Sequence, residues 1–426
     1  MNSAPQSRTV IGFTSKESLI IWVLWLTYGS FYFCRANLTV AVPGIGKELG
    51  FDKSDMGNVL MALKIAYGIG QLVNGQLAER FSARRLLAIG LIASAGLNIL
   101  FGFATSLYFM IFIWACNGYA QALGWPPTMR VAANWFNLTH RGRAIGIIGT
   151  GYQLCGALTF FLSGWAAETF GWRGVLFVPS ALLILAALHM WFLLEESPGD
   201  QQTTNAATNS ISKSNSSFGA NIVATLSNPA LWFLGIGLWL LDACRYGFTD
   251  WGVSHLMEVQ GQSVGAAAFK YAVMPLGGML GGYSAGWFTD RFMGGRRVPI
   301  AIVLLASLGI LALAYDHVIH WGLIPSLLVL FLIGFCIYGP QVLLVGTLPV
   351  DLAKSGTPAA AAGFVNFMGY MGAAGGDKLT GSFAQHHGWP AAVRFWAGCA
   401  LFAALVVSCL WRAEFRRIQA RNKPAP

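Results

Sequence analysis

Long apolar runs alternate with short polar loops along this chain, and each run is close to the twenty or so residues a helix needs to cross the hydrocarbon core of a bilayer. Twelve such stretches stand out, at 19–43, 56–78, 86–105, 107–135, 144–167, 174–194, 231–257, 265–288, 299–316, 322–349, 358–383 and 391–411. The pattern predicts an all-α membrane protein with twelve transmembrane helices. One long interruption, Glu195 to Asn228, is rich in Ser, Thr and Asn and holds too few apolar residues to pack. It divides the chain into an N-terminal half (19–194) and a C-terminal half (229–411) joined by a linker (195–228), with a polar segment at 1–18 and a basic tail at 412–426.

Composition agrees. Of 426 residues, 55% are hydrophobic and only 10% charged, whereas a soluble globule carries about a quarter charged residues. The net charge of +10 does not point to nucleic acid, because the basic residues lie where cytoplasmic loops of a membrane protein want them. Arg80, Arg84 and Arg85 follow the second stretch, Arg141 and Arg143 the fourth, Arg291, Arg296 and Arg297 the eighth, and Arg412, Arg416, Arg417, Arg421 and Lys423 close the chain. The intervening loops hold little beyond Lys47, Lys53 and Arg173. Both termini are therefore expected in the cytoplasm of a multi-pass protein of the plasma membrane, with the lipid bilayer as a partner. No Ala-x-Ala site follows the first stretch, so it reads as an uncleaved helix. The seven cysteines all fall inside apolar stretches without a CxxC and read as packing residues. No Ser/His/Asp constellation, metal-ligand cluster or Walker loop is visible, which argues against an enzyme, a metal site, a cofactor or an ATP-driven pump.

The halves repeat. GQLAERFSARR from Gly75 matches GWFTDRFMGGRR from Gly286, 211 residues on; Gly124-Trp-Pro meets Tyr338-Gly-Pro; Gly171-Trp172 recurs as Gly388-Trp389, 217 on. Within this repeat, Arg35 in SFYFCRANLTVAVP and Arg245 in LDACRYGFTDW stand 210 apart, at equivalent depths of apolar runs. A charge near the bilayer centre costs about 3 kcal/mol on insertion scales and more in simulations, so it usually faces a cavity with a partner. Parallel halves would bring both arginines to a central seam near the membrane midplane. Two readings remain: the pair holds one anionic ligand, or Asp242 and Asp250 neutralise Arg245 while Arg35 bonds backbone carbonyls. The spacing favours a cavity. Tyr28, Tyr32, Arg35 and Thr39 share one stripe of a helix, as do Leu238, Asp242, Arg245 and Thr249. Arginine suits phosphate in particular, because its planar fork donates two parallel hydrogen bonds and stays charged.

The paired loops at Gly75 and Gly286 resemble the signature of the major facilitator superfamily. Together YFCRANL, the run Ala122 to Pro127, RYGFTDW, FCIYGP and AAGFVNFMGYMG resemble the organophosphate:phosphate antiporters, carriers of glycerol-3-phosphate, hexose phosphates and phosphoglycerate. The resemblance implies a carrier that exchanges an organic phosphate for inorganic phosphate by alternating access, acting as a monomer. It also implies that Arg35 and Arg245 bind the phosphate and that Tyr28, Tyr32, Tyr67, Asp250, Tyr338 and Tyr370 line or support the cavity. The chain departs from the better-known bacterial pattern: Ala36 replaces a lysine, Gln71 another cavity lysine, Tyr152 a histidine and Asp242 a tyrosine. Lys64, Lys270 and the adjacent Asp377 and Lys378 bring other charges, and with Gln71 they are the candidates for selectivity. Asp377 and Lys378 point about 100° apart on a helix, so only one of them is expected to reach the cavity. The loop charges Arg80, Arg84, Arg85, Asp290 and Arg291 are expected to latch the cytoplasmic face. A membrane sensor of a sugar phosphate, or a proton-coupled symporter of a carboxylate, are the alternatives.

Overall fold

A computed structural model describes residues 13–198, 223–353 and 358–415. Its helices are α1 (Ser15–Ser30), α2 (Leu38–Leu49), α3 (Lys53–Arg80), α4 (Ala83–Gly102), α5 (Leu107–Gln121), α6 (Trp125–Trp135) and α7 (Leu138–Leu193) in the first half. The second half holds α8 (Pro229–Gln260), α9 (Val264–Tyr271), α10 (Val273–Phe292), α11 (Val298–Val318), α12 (Leu323–Val342), α13 (Leu348–Leu352), α14 (Pro358–His386) and α15 (Trp389–Ser408). Each of the twelve apolar stretches is mostly helical, and seven helical segments are by length and apolarity alone sufficient to cross a membrane. Residues 1–12, most of the linker (199–222) and the tail beyond residue 415 lie outside the described residues.

The boundaries follow local chemistry. At the start of α1, Thr14 caps the Glu17 N–H while the Glu17 carboxylate accepts from the Thr14 N–H, and Asp52 and Asp55 form the same reciprocal pair at α3. The repeat is visible in the turns. Gly50 ends α2 at φ 75° and Gly261 ends α8 at φ 63°, a left-handed conformation that favours glycine. Likewise Gly171, at φ 70°, breaks α7 into two helices, and Gly388, at φ 77°, separates α14 from α15. The two landmark glycines of the sequence repeat thus make the same turn in each half.

Three expected spans are interrupted: the fourth between α5 and α6, the eighth between α9 and α10, and the first most sharply. The first stretch is not a continuous helix: α1 passes into a short 3-10 turn, Phe31–Cys34, and helical geometry resumes only at Leu38. Thr39 is buried beyond this break, so the stripe drawn from Tyr28 through Thr39 does not hold along its whole length.

Inside each half the helices pack very closely. A β-carbon on Gly277 of α10 would collide with the Phe331 carbonyl of α12, and one on Gly334 of α12 with the Met274 carbonyl of α10. Between the halves, the polar links lie away from the basic loops. There Lys53 pairs with Glu258 at 3.0 Å, Lys378 donates to Ser54 at 3.2 Å, and Glu168 accepts from Ser263 at 2.6 Å and from the Gly265 N–H at 3.1 Å. On the basic side, Arg84 donates to the Leu194 carbonyl, Arg130 to the carbonyls of Ala78 and Phe81, and Arg297 pairs with Asp351, each within its own half.

Gly277→Ala should therefore destabilise the protein by about 1–3 kcal/mol through overpacking, seen as a lower melting temperature in detergent. Gly286→Ala, where a β-carbon meets nothing, should melt like the wild type; equal melting of the two variants would remove the close approach of α10 and α12 from the account.

Candidate functional site

Arg35 sits at the break of the first span, where its φ of −120° and ψ of −50° depart from helix. Breaking a helix in the apolar interior frees carbonyls that must find donors. The neighbouring helices provide them. Asn98 of α4 and Asn117 of α5 both donate to the Cys34 carbonyl, at 3.1 and 2.9 Å, and Gln121 donates to the Phe31 carbonyl at 3.0 Å. Ser94 ties these donors together through Asn117 at 2.6 Å and Gln121 at 2.7 Å, and Asn37 bonds Asn98 at 2.9 Å. This buried amide network escaped the sequence reading, although its four amides inside apolar runs were the available signal.

The break turns Arg35 toward the other half. Its guanidinium donates to the hydroxyl of Tyr246 at 3.0 Å and of Tyr370 at 3.3 Å, and lies 4.3 Å from the Tyr67 ring centroid and 5.4 Å from that of Tyr32. Among the described residues it pairs with no carboxylate. Arg245, on the unbroken α8, lies 4.7 Å from the Tyr246 ring and 4.8 Å from the Tyr338 ring. Among the described residues its one carboxylate partner is Asp242, at a long 3.4 Å, and its Nε has no partner. The two arginines of the repeat therefore meet on the two aspects of one side chain, the hydroxyl and the ring of Tyr246. Sequence reasoning missed Tyr246 because it sits one position off the Arg245 stripe, and adjacent helical positions diverge.

Around this pair the tyrosines form a continuous wall. Tyr28 lies tilted against Trp125 at 4.7 Å and edge-on to Tyr32 at 6.4 Å; Tyr152 lies 5.2 Å from Tyr32 and 6.4 Å from Tyr338; Tyr67 meets Tyr370 at 4.6 Å. All six expected tyrosines thus converge on the seam, with contributions from both halves.

The other charges separate. Lys64 of α3 is buried between two carboxylates of the opposite half, Asp250 at 2.5 Å and Asp377 at 3.5 Å, with its ammonium 4.2 Å from the Tyr246 ring centroid. Of the adjacent pair, Asp377 is wholly buried beside Lys64 while Lys378 reaches Ser54 on the side away from the basic loops. Lys270 donates to Gln260 of its own half at 2.9 Å and does not join the cluster. Gln71 is half-buried with an unpartnered side-chain nitrogen. Among the loop charges, the Arg84 N–H bonds Glu196 at 3.2 Å, Arg80 and Arg85 are exposed, and Asp290 lies 4.0 Å from Arg297.

A twelve-stretch bundle of two related halves with a polar, two-arginine seam defines a secondary transporter of the major facilitator type. The Major Facilitator Superfamily pattern matches residues 24–376, and the chain belongs to that superfamily. It is 29% identical over 428 residues to a probable hexose phosphate transport protein of Chlamydia trachomatis, covering 95% of this chain and 92% of the relative. It is 28% identical over 409 residues to the glycerol-3-phosphate transporter of Bacillus subtilis, covering 92% of each. Over 364 residues it is 29% identical to the membrane sensor protein UhpC of Escherichia coli, covering 83% of each. These relatives fall in the organophosphate:phosphate antiporter family. Among solved structures, a bacterial homologue of the lysosomal transporter Spinster, inward-facing and unoccupied, superposes with a TM-score of 0.75 at 15% identity over 97% of this chain and 100% of that one.

The amide network carries a stability prediction. Asn98 and Asn117 supply the same carbonyl, so Asn98→Ala and Asn117→Ala should each cost about 1–3 kcal/mol, and the double variant should depart from additivity by about 0.5 kcal/mol or more. Strict additivity in detergent unfolding experiments would show that the two do not share the Cys34 carbonyl.

Proposed function

We propose that this chain carries organic phosphates, of the sugar phosphate or glycerol phosphate class, across the membrane by alternating access, with inorganic phosphate as counter-substrate. The observation that carries this is Arg35: a guanidinium deep in the bundle, held by tyrosine hydroxyls and ring faces and by no carboxylate, beside Arg245 with its Nε unpartnered. Tyrosine hydroxyls hold a guanidinium without neutralising it. A phosphate group offers each arginine the paired acceptors that the tyrosines do not. Two of the relatives are named as transporters of a hexose phosphate and of glycerol-3-phosphate, which supports the same chemistry here. Both halves contribute to the seam, so a single chain contains the whole site and works as a monomer.

Closure away from the basic loops, with Lys53–Glu258 and the Glu168 contacts as outer ties, supports an inward-facing carrier whose termini lie in the cytoplasm. The anion is drawn between the halves by both arginines, and rocking transfers the opening from one side to the other. On the basic side, Arg80, Arg84, Arg85, Asp290 and Arg291 would form the complementary closure when the carrier faces outward.

Counterflow in liposomes tests the proposal: protein loaded with inorganic phosphate should take up labelled glycerol-3-phosphate or a hexose phosphate. A sensor like the UhpC relative would bind without appreciable flux, and binding without counterflow would favour that second reading. Arg35→Lys and Arg245→Lys should each lower the flux roughly tenfold or more, because lysine keeps the charge but not the fork; near wild-type flux in both would sink the two-arginine site.

Asp242 competes with the anion for Arg245. Asp242→Asn should accordingly tighten phosphate binding several-fold, measured by calorimetry or ligand-dependent melting, and unchanged affinity would show that Asp242 does not hold Arg245 against the substrate.

A further inference from the structure

The seam carries as many carboxylates as cations. Facing Arg35, Arg245 and Lys64 are Asp242, Asp250 and Asp377, all buried or half-buried, so the six groups are neutral together when fully ionised. Entry of a phosphate anion then leaves the low-dielectric seam with net negative charge. Such a charge is costly to carry through a bilayer unless something compensates it.

The compensation lies in the Lys64 cluster. Asp377 is wholly buried, and neither of its oxygens accepts a hydrogen bond, although Lys64 approaches one of them to 3.5 Å. Lys64 spends its short contact, 2.5 Å, on Asp250. The charged groups that face Asp377 are Lys64 from α3 and Asp250 from α8, which is itself a side-chain neighbour of Asp377. One ammonium thus serves two carboxylates, and the second is underserved.

The division between halves gives this arrangement a direction. Asp250 and Asp377 both belong to the C-terminal half, whereas Lys64 belongs to the N-terminal half. Opening the outer side moves α3 away from α8 and α14 and takes the lysine with it. Two neighbouring carboxylates without their cation then hold a proton between them. Reclosure returns Lys64 to Asp250, and a neutral, protonated Asp377 offsets one negative charge of the anion. Tyr246 joins the two events: its hydroxyl accepts from Arg35, and its ring lies against both Arg245 and Lys64.

Resting on the phosphate reading above, we propose that Asp377, with Asp250 and Lys64, is a proton-binding site, and that a proton enters from the outer side and travels with the phosphate anion. The carrier is then able to use a proton gradient for net uptake in addition to exchange.

The test uses the full chain in liposomes with inorganic phosphate as the probe. At equal pH on both sides, labelled phosphate self-exchange reports the arginine site. With the lumen made alkaline by one pH unit and the membrane potential clamped at zero, the wild type should accumulate the transported phosphate ion, corrected for phosphate ionisation at each pH, about tenfold, the equilibrium for one proton per anion. Wild-type protein that self-exchanges but does not accumulate phosphate overturns the proton site. Absence of self-exchange instead overturns the phosphate reading. Asp377→Asn, normalised to its own self-exchange, should accumulate less than twofold, and Asp377→Glu should restore accumulation. If Asp377→Asn accumulates as the wild type does, the proton travels elsewhere, on the phosphate itself or on another group, and the assignment of Asp377 fails.

Discussion

A guanidinium held in the apolar interior without a carboxylate is the constraint on which the rest of the structure depends. Arg35 can occupy that position only because the first span breaks there, and the break is tolerable only because Asn98, Asn117 and Gln121 satisfy the carbonyls it frees. Those amides sit on α4 and α5, so the first-half packing is arranged around a defect in one helix. The two-arginine seam is built asymmetrically as a result. Arg35 is presented by irregular backbone and Arg245 by a regular helix, and Tyr246 bridges them.

The bundle divides into parts that stay rigid and parts free to move. Within the C-terminal half, glycines let α10 and α12 approach until no side chain fits between them, which locks the pair. Across the seam, by contrast, the halves are joined by aromatic faces, hydroxyls and ion pairs. Lys53–Glu258 is partly exposed, while Lys64 with Asp250 and Asp377 is enclosed. Contacts of this kind can be broken and rehydrated when a cavity opens to water, unlike interlocked backbone. Two stiff halves on a polar seam suit rocking motion. In the rocking motion proposed above, the enclosed ion cluster would have to come apart.

Much of this was legible from the residues. Apolar runs of spanning length give the helices, because a bilayer demands a continuous internally bonded segment whatever its neighbours are. The duplicated landmarks give the two halves, and glycines 171 and 388 make the same left-handed turn. Charge within an apolar run, rare because it is costly, marks Arg35, Arg245, Lys64 and Asp377 individually. The structure brings Tyr28, Tyr32, Tyr67, Tyr152, Tyr338 and Tyr370 together on the seam.

Which charge meets which was decided only by tertiary structure. Helical spacing says nothing about the helix opposite, so Asp250 seemed a candidate partner for Arg245 when it in fact faces Lys64, and Tyr246 went unnoticed beside its neighbour. The break at Phe31–Cys34 was equally hidden, since its sequence is apolar and the donors that make it affordable lie more than sixty residues away. Periodicity and transfer cost act on a single segment and can be read along it. Pairing and the satisfaction of freed carbonyls are properties of two segments brought together, and exist only once the chain has packed.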